Sequence, residues 1–204
     1  MKTYIITILF VLIIAACCKD KVAAPDAVSG FQKDDFPISV GNWWRYQVID
    51  AMQQTTDTLT LKVVDFDLSQ STFTCQIIQH NQIVDTGYFI ISSNRIEYKG
   101  INQNYSYFGN FTLTVPFQVG SSWIGDNPKD TVSVLSKVES FEINGNVYTP
   151  IYNLKRIYNL LGGYRLIQDF IVLPKVGIVY QSLDIADGFP LQKQGFQLID
   201  FEVQ

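Results

Sequence analysis

The chain of 204 residues has a single histidine, His80, and this scarcity excludes most metal and triad chemistry. Zinc sites combine several histidine and cysteine ligands, and no partner for His80 is evident in the sequence. A Ser-His-acid triad would need His80 itself, and the sequence has no G-x-S-x-G segment. His80 alternates with Phe73, Cys75 and Ile77, so we predict that it is an exposed surface side chain.

Other chemical motifs are also missing. The sequence contains no phosphate-binding G-x-x-x-x-G-K-[ST] loop and no EF-hand loop. Carboxylates occur in scattered pairs near strand ends, which is typical of a solvated surface: Asp65 and Asp67, Asp184 and Asp187, Asp200 and Glu202. We therefore predict no catalytic, cofactor-binding or metal-binding residue, and we predict that the protein is not an enzyme.

Positive charge and paired cysteines are scarce as well. The net charge is −4 and no basic cluster is present, so nucleic acid is not an expected partner. Apart from the neighbouring Cys17 and Cys18, Cys75 is the only thiol, which excludes a disulfide framework. Cys75 alternates with apolar residues and is predicted to be an inert core thiol.

The first apolar run, Tyr4 to Ile14, is too short to span a bilayer and fits the core of a signal peptide. It ends in Ile14-Ala15-Ala16-Cys17, which resembles the bacterial lipobox. The resemblance implies that residues 1–16 are removed and that Cys17 receives diacylglycerol and a further acyl group. The alternative is an ordinary secretory signal with an incidental cysteine.

The residues after Cys17 carry a second resemblance. Lys19-Asp20 is similar to the surface-export signal of lipoproteins from Bacteroidetes, although Lys21 stands where a second acid is usual. Residues 17–35 are small and charged, and we predict that they form the lipidated cysteine and a flexible tether. A single β-domain is predicted to occupy residues 36–204.

A P-x-x-V-G-x-x-W pattern occurs twice in this domain, at Pro37–Trp44 and at Pro116–Trp123. A shorter form, Pro174–Tyr180, lacks the tryptophan. Proline suits the entry to a strand and glycine permits a tight turn. We interpret Trp44 and Trp123 as structural anchors in the core, and the alternative is an exposed aromatic binding platform.

Further residue pairs suggest an internal duplication. Asp57-Thr58 is matched by Asp130-Thr131, and Gly87-Tyr88 is matched by Gly163-Tyr164. We predict two related units, residues 36–113 and 114–204, and the alternative is chance resemblance among β-rich segments. Each Asp-Thr pair precedes an aliphatic residue, so Thr58 and Thr131 also resemble the O-glycosylation pattern of exported Bacteroidetes proteins.

Apolar and polar residues alternate through most of the domain, which predicts strands. Asn144-Gly145 and Asp187-Gly188 predict hairpin turns. Residues 151–161 also fit helical spacing, although the β-rich context favours a strand. We predict an all-β fold, an antiparallel curled sheet or open barrel of about ten to twelve strands, with a two-layer β-sandwich as the alternative.

These features together resemble small Bacteroidetes lipoproteins, a family that implies an envelope location and no known activity. We predict a non-enzymatic lipoprotein of the outer membrane that is exposed at the cell surface and binds a lipid-like or glycan ligand. The alternative is a structural or accessory lipoprotein that docks on an envelope protein. An apolar cavity of several hundred Å³ would favour a ligand, and a flat apolar patch would favour docking.

Overall fold

A computed structural model of the protein describes residues 30–50, 56–101, 110–125, 128–138, 140–143, 145–159, 164–186 and 194–204. The predictions for the signal peptide, for Cys17, Lys19 and Asp20, and for the Asp187-Gly188 turn lie outside these residues. Within them no helix is long and apolar enough to cross a membrane.

The described residues form fourteen strands and one short 3₁₀ turn, Lys33–Asp35. The strands are β1 (Trp43–Asp50), β2 (Thr56–Asp67), β3 (Thr72–Gln79), β4 (Gln82–Ile91), β5 (Arg95–Gly100), β6 (Phe111–Thr114), β7 (Ser122–Ile124), β8 (Asp130–Val138), β9 (Phe141–Ile143), β10 (Asn146–Tyr148), β11 (Ile151–Asn159), β12 (Arg165–Leu173), β13 (Gly177–Ala186) and β14 (Gln194–Glu202). The all-β prediction is confirmed, and the ambiguous segment forms strand β11. The predicted turn before Asn146 is also confirmed, because β9 and β10 pair as a hairpin.

Twelve of the strands form one antiparallel sheet in the order β6-β5-β4-β3-β2-β1-β14-β13-β12-β11-β8-β7. The sheet is therefore a curled, nearly closed barrel and not a two-layer sandwich. It consists of two meanders, one of β1–β6 and one of β7, β8 and β11–β14, joined by the pairing of β1 with β14. Strands β9 and β10 form a separate hairpin. Strands β6 and β7 are consecutive in the chain and form the two edges, so we call the line between them the seam.

The turns of the repeated pattern have the same geometry in both meanders. Gly41 has a φ of +99° and Gly120 a φ of +86°, a region that glycine enters without a steric penalty. The amide of Gly41 donates to the carbonyl oxygen of Val63 at 2.9 Å, and that of Gly120 donates to Val134 at 3.0 Å. Because these turns lie at the same point of each meander, they give a common origin for comparing the two units.

Counted from this origin, the predicted match between the two Asp-Thr pairs is wrong. Trp44 pairs with Leu61, and Trp123 pairs with Val132, so Leu61 and Val132 are equivalent. Sequence similarity alone had matched Val132 with Leu59, two residues away. A shift of two keeps each side chain on the same face of the sheet, so alternation could not reveal the error.

The Gly-Tyr match is wrong as well. Tyr88 lies within β4, whereas Tyr164 precedes β12, and Gly163 lies outside the described residues. The predicted boundary between the units, at residues 113 and 114, falls at the end of β6.

The inward faces of the strands fill the barrel with side chains. Trp44, Tyr46, Phe89, Tyr98 and Phe111 belong to one continuous core of buried apolar residues. The space that remains between them is about 10 Å³, roughly the room that one water molecule needs. Among the described residues the barrel interior is therefore a packed core, and this space is too small for a ligand.

One end of the barrel is closed by residues 30–38, which we call the N-terminal strap. Phe31 forms a β-bridge with Phe117, stacks on its ring at 4.7 Å between centroids, and is completely buried. Residues 30–35 were predicted to belong to the tether, and this boundary is wrong because the Phe31 ring packs in the core. Phe31 is the only aromatic residue among residues 18–35, a signal that could have marked it.

We call this end of the barrel the tether end, because Gly30 enters the fold there. The turn between β2 and β3 and the turns at Gly41, Gly120 and Gly177 lie at the same end. The opposite end, which we call the far end, carries the two-residue turn His80-Asn81 between β3 and β4. Both turn residues have positive φ, as hairpins of this length require.

Candidate functional site

The two tryptophans interpreted as anchors occupy different environments. Trp44 is only 2 % exposed, and its indole Nε1 donates to the carbonyl oxygen of Val176 at 2.6 Å. Trp123 is half-buried, packs against the core and stacks on Phe117 at 5.8 Å. Its Nε1 donates across the seam to the carbonyl oxygen of Thr112 at 3.0 Å. Both rings contact the core, so neither forms a free aromatic platform.

Trp43 points the other way. Its Nε1 donates to the carboxylate of Glu202 at 3.0 Å, and the guanidinium of Arg45 lies over its ring at 5.3 Å. These contacts are on the outer surface of the barrel, where polar interactions contribute little to stability. Strand alternation in the sequence predicts this opposite orientation of neighbouring tryptophans.

The two threonines of the candidate glycosylation pattern are both exposed, but the aspartates before them differ. Asp57 lies at the surface, where a hydrogen bond from the amide of Thr58 is the main reason that its pKa is lowered. Asp130 is completely buried. A glycosylating enzyme that recognises the aspartate together with the threonine could reach Asp57 but not Asp130. Thr58 is therefore the better candidate for O-glycosylation.

Asp130 takes part in a buried polar network near the far end. The Arg156 guanidinium reaches its carboxylate through Nε at 2.8 Å and through Nη2 at 2.7 Å. Arg156 also donates to the side chain of Gln168 and, across the seam, to the carbonyl oxygen of Asn110. Such a bidentate pair is strong and directional, and here its donors and acceptors are used within the protein.

Sequence reasoning missed this network. Asp130 was interpreted as part of a glycosylation pattern, and Arg156 lies in the segment with ambiguous periodicity. The structure shows that Gly125 makes room for the carboxylate, because a Cβ at that position would lie 2.2 Å from Oδ2 of Asp130. The network clamps β8, β11 and β12 to the segment before β6, and we assign it a structural role.

The remaining chemically active groups do not form a catalytic constellation in the described part of the chain. Burial raises the pKa of the Cys75 thiol to about 12, so this cysteine is a poor nucleophile. His80 is exposed and lies 3.3 Å from Asp57. No group of three or more His, Cys, Asp or Glu side chains among the described residues could hold a metal ion.

A surface cavity lies where the strap crosses the sheet, and we call it the strap cleft. Its volume is about 320 Å³, at the lower end of the range typical of ligand sites. It is lined by Lys33, Asp34, Phe36, Ile38, Phe66, Ser71, Phe73 and Ile91. Sequence reasoning missed the strap cleft, because its wall combines the strap with the ends of β2, β3 and β4.

Apolar side chains form one part of the wall of the strap cleft, and polar groups form the rest. Phe66 on β2 and Phe73 on β3 are cross-strand partners with ring centroids 4.3 Å apart. Phe66 is one of the large apolar side chains that remain exposed. The polar side chains of the lining are those of Lys33, Asp34 and Ser71.

Hydrogen bonds hold the strap in place above this cleft. The amide of Gln32 donates to the carboxylate of Asp35 at 2.8 Å. Lys175, from the turn between β12 and β13, donates to the carbonyl oxygen of Asp34 at 2.7 Å and lies 3.3 Å from the carboxylate of Asp35. Lys175 therefore attaches the strap to the barrel, and the bond between Gln32 and Asp35 closes a turn within the strap.

No protein-family model matches this chain, and a comparison of its sequence with curated proteins finds no significant match. Solved structures of similar shape include a protein from Bacteroides fragilis, assigned as exported and with a YmcC-like fold. It shares 10% identity and a TM-score of 0.48 with this chain, over 85% of this chain and 99% of its own.

Two further structures are similar to this chain. One is a protein from Parabacteroides distasonis assigned as a lipoprotein, with 12% identity, a TM-score of 0.44 and coverage of 85% and 99%. The other is a domain from Vibrio parahaemolyticus assigned to outer-membrane lipoprotein sorting, with 10% identity, a TM-score of 0.28 and coverage of 80% and 86%. At these scores, the function of this chain has to be argued from its own residues.

Proposed function

We propose that this protein is a non-catalytic lipoprotein of the outer membrane whose β-domain binds a lipid-like ligand in the strap cleft. Acyl groups on Cys17 would provide the anchor, and Lys19-Asp20 would direct the domain to the cell surface. The observation that carries the binding proposal is the strap cleft itself, an aromatic-lined cavity of about 320 Å³.

The packed core argues against binding inside the barrel. The inner cavity of about 10 Å³ could hold a water molecule but no acyl chain. Opening it would expose Trp44, Tyr46 and the aromatic residues beside them, at a cost of roughly 25 cal/mol for each Å² of apolar surface. Binding in the strap cleft does not carry this cost, because the apolar side chains of the cleft already face the solvent.

The lining favours an apolar ligand over a glycan. Five of the eight lining residues are aliphatic or aromatic, and Phe66 and Phe73 form a paired surface. A sugar carries many hydroxyl groups, and each one that loses water without gaining a partner costs free energy. Lys33, Asp34 and Ser71 offer only a few partners, enough to orient one polar head group.

The experiment is native mass spectrometry of the full, acylated protein released from membranes in mild detergent. Wild type is expected to carry a non-covalently bound lipid, visible as a mass that is lost on collisional activation. Ile91→Glu introduces a carboxylate into the strap cleft and should abolish the bound mass. Ile83→Glu is the matched control, because Ile83 lies near the start of the same strand β4 at the far end.

Retention of the lipid by Ile91→Glu would contradict the strap cleft as the binding site. A bound oligosaccharide in place of a lipid would contradict the lipid-like class. Recovery of an envelope protein, lost from Ile91→Glu and kept by Ile83→Glu, would replace the ligand with a docking function.

A further inference from the structure

The two copies of the P-x-x-V-G turn present an exposed valine at the tether end. Val40 and Val119 occupy the same position in the two copies, directly before the glycine with positive φ. Val40 is 46 % exposed and Val119 is 48 % exposed, although a turn tip in water would ordinarily carry a polar residue. A third apolar tip, Leu68 in the turn between β2 and β3, is 81 % exposed.

Strand order separates these three side chains around the mouth of the barrel. Val40 precedes β1 and Val119 precedes β7, and these strands are six positions apart in an order of twelve. The two valines therefore lie on opposite sides of the mouth, and Leu68 lies on the arc between β2 and β3. The side chains of Val40, Leu68 and Val119 are not on one line, so they define a plane across the end of the barrel.

The point at which the chain enters the domain limits what can meet this plane. The described chain begins at Gly30, which lies at the tether end against Phe117. Thirteen residue steps connect Cys17 to Gly30, and such a chain spans at most about 45 Å in any conformation. With Cys17 acylated, the tether end is therefore the part of the domain whose distance from the bilayer is most closely limited.

We propose that the tether end docks on the lipid bilayer, with Val40, Leu68 and Val119 inserted at the level of the head groups. This inference rests on the acylation of Cys17 in the proposed function. A flat bilayer contacts three tips arranged around a mouth at the same time, whereas a single bound molecule in one cleft would contact one of them. Apolar side chains transferred into the interface contribute to binding in proportion to their buried area.

Part of the charge at this end is compensated within the domain. Lys175 pairs with Asp35 of the strap at 3.3 Å, so these two charges compensate each other. The strap cleft lies at the same end, and docking would hold its opening next to the lipid. A lipid-like ligand could then reach Phe66 and Phe73 without crossing water.

The test uses the full, acylated protein in vesicles of phosphatidylethanolamine and phosphatidylcholine, with single cysteines labelled by the environment-sensitive dye NBD. The background carries Cys18→Ser, while Cys75 is buried and unreactive. Labels are placed by Val40→Cys, Leu68→Cys and Val119→Cys. The controls are Ile83→Cys and Ile101→Cys, two equally apolar and exposed positions at the far end.

Lipids with a doxyl quencher near the head group should cause a loss of emission from all three labels at the tether end and none from the controls. The proposal is overturned if the three labels keep their emission, if only one loses it, or if the far-end labels lose it instead. Shielding of the labels in native outer-membrane fragments but not in pure lipid would assign the surface to a protein partner and also overturn it.

The two proposals can fail separately. If the acyl anchor is absent, Cys17 itself is labelled by the dye and the protein does not sediment with vesicles, which contradicts the proposed function. If the anchor is present and the tether end does not dock, the protein sediments with vesicles and the labels at Val40, Leu68 and Val119 remain unquenched.

Discussion

The indole Nε1 of Trp123 donates a hydrogen bond to the carbonyl oxygen of Thr112 at 3.0 Å, across the seam between β7 and β6. These strands are the two edges of the twelve-stranded sheet. A sheet edge exposes backbone groups that favour unwanted pairing with other chains. The tryptophan side chain therefore satisfies a backbone carbonyl group at an edge that has no neighbouring strand to pair with. Phe31 covers the tether end of the same seam.

Replacement of the tryptophans tests the interpretation as anchors. Trp44→Ala is expected to lower the free energy of unfolding by about 3 to 5 kcal/mol, since a buried ring and its hydrogen bond are lost. Trp123→Ala should cost about 2 to 3 kcal/mol, because this ring is half-buried. Trp43→Ala, the internal control on the outer face, should cost about 1 kcal/mol. Urea unfolding measures all three, and equal costs for Trp43 and Trp44 would contradict the anchor interpretation.

Arg156 tests the buried network. Arg156→Ala leaves the carboxylate of Asp130 buried without its cation, which typically costs about 3 to 5 kcal/mol. Lys155→Ala is the matched control, because Lys155 is the preceding residue of β11 and its pair with Asp169 at 3.5 Å is exposed. The control should change stability by less than about 1 kcal/mol. A small effect of Arg156→Ala would argue against the network as a clamp.

Gly30 tests the attachment of the strap. A Cβ at this position would lie 2.2 Å from the carbonyl oxygen of Phe117, so Gly30→Ala must displace the strap or the loop after β6. We expect a loss of stability and faster proteolytic cleavage after Lys33. Gly145→Ala is a control without such a contact, although its φ of +78° carries its own strain. Equal protease resistance of wild type and Gly30→Ala would contradict close packing of the strap.

Cys75 gives a prediction about alkaline pH. The pKa of its thiol is raised from 9.0 to about 12 by burial, so the unfolded chain loses this proton at lower pH than the folded chain. Stability is therefore fully present below about pH 9 and should fall as the pH rises from there towards about 12. Cys75→Ala removes this contribution, and its stability should fall less steeply between pH 8.5 and pH 10.5, as measured by urea unfolding near those values. An identical slope for both proteins would contradict the prediction.

The anchor and the export signal can be tested in cells. Cys17→Ala should release the protein from membranes or stall its processing, because the acylated side chain is lost. Protease added to intact cells should remove the domain from wild type, whereas Lys19→Ala with Asp20→Ala should protect it. Normal membrane partition of Cys17→Ala would contradict acylation, and full protection of wild type would place the domain inside the envelope.

Local patterns in the sequence determined the class of fold. Alternation with a period of two predicts strands wherever one face is buried, and glycine before a strand predicts a turn with positive φ, as Gly41 and Gly120 have. The same reasoning placed Cys75 in the core and His80 at the surface. Each of these predictions depends only on a residue and its near neighbours in the chain. The sequence by itself is therefore enough to make them.

Tertiary structure alone decided which distant residues meet. The register of β8 against β11 and β12 brings Asp130, Arg156 and Gln168 together, and no spacing along the chain encodes that register. The curling of the sheet brings Trp123 to Thr112, and the return of the strap brings Phe31 to Phe117. A strand shifted by two residues keeps its alternation but changes every partner, so patterns of local periodicity predict faces while packing between strands determines the sites.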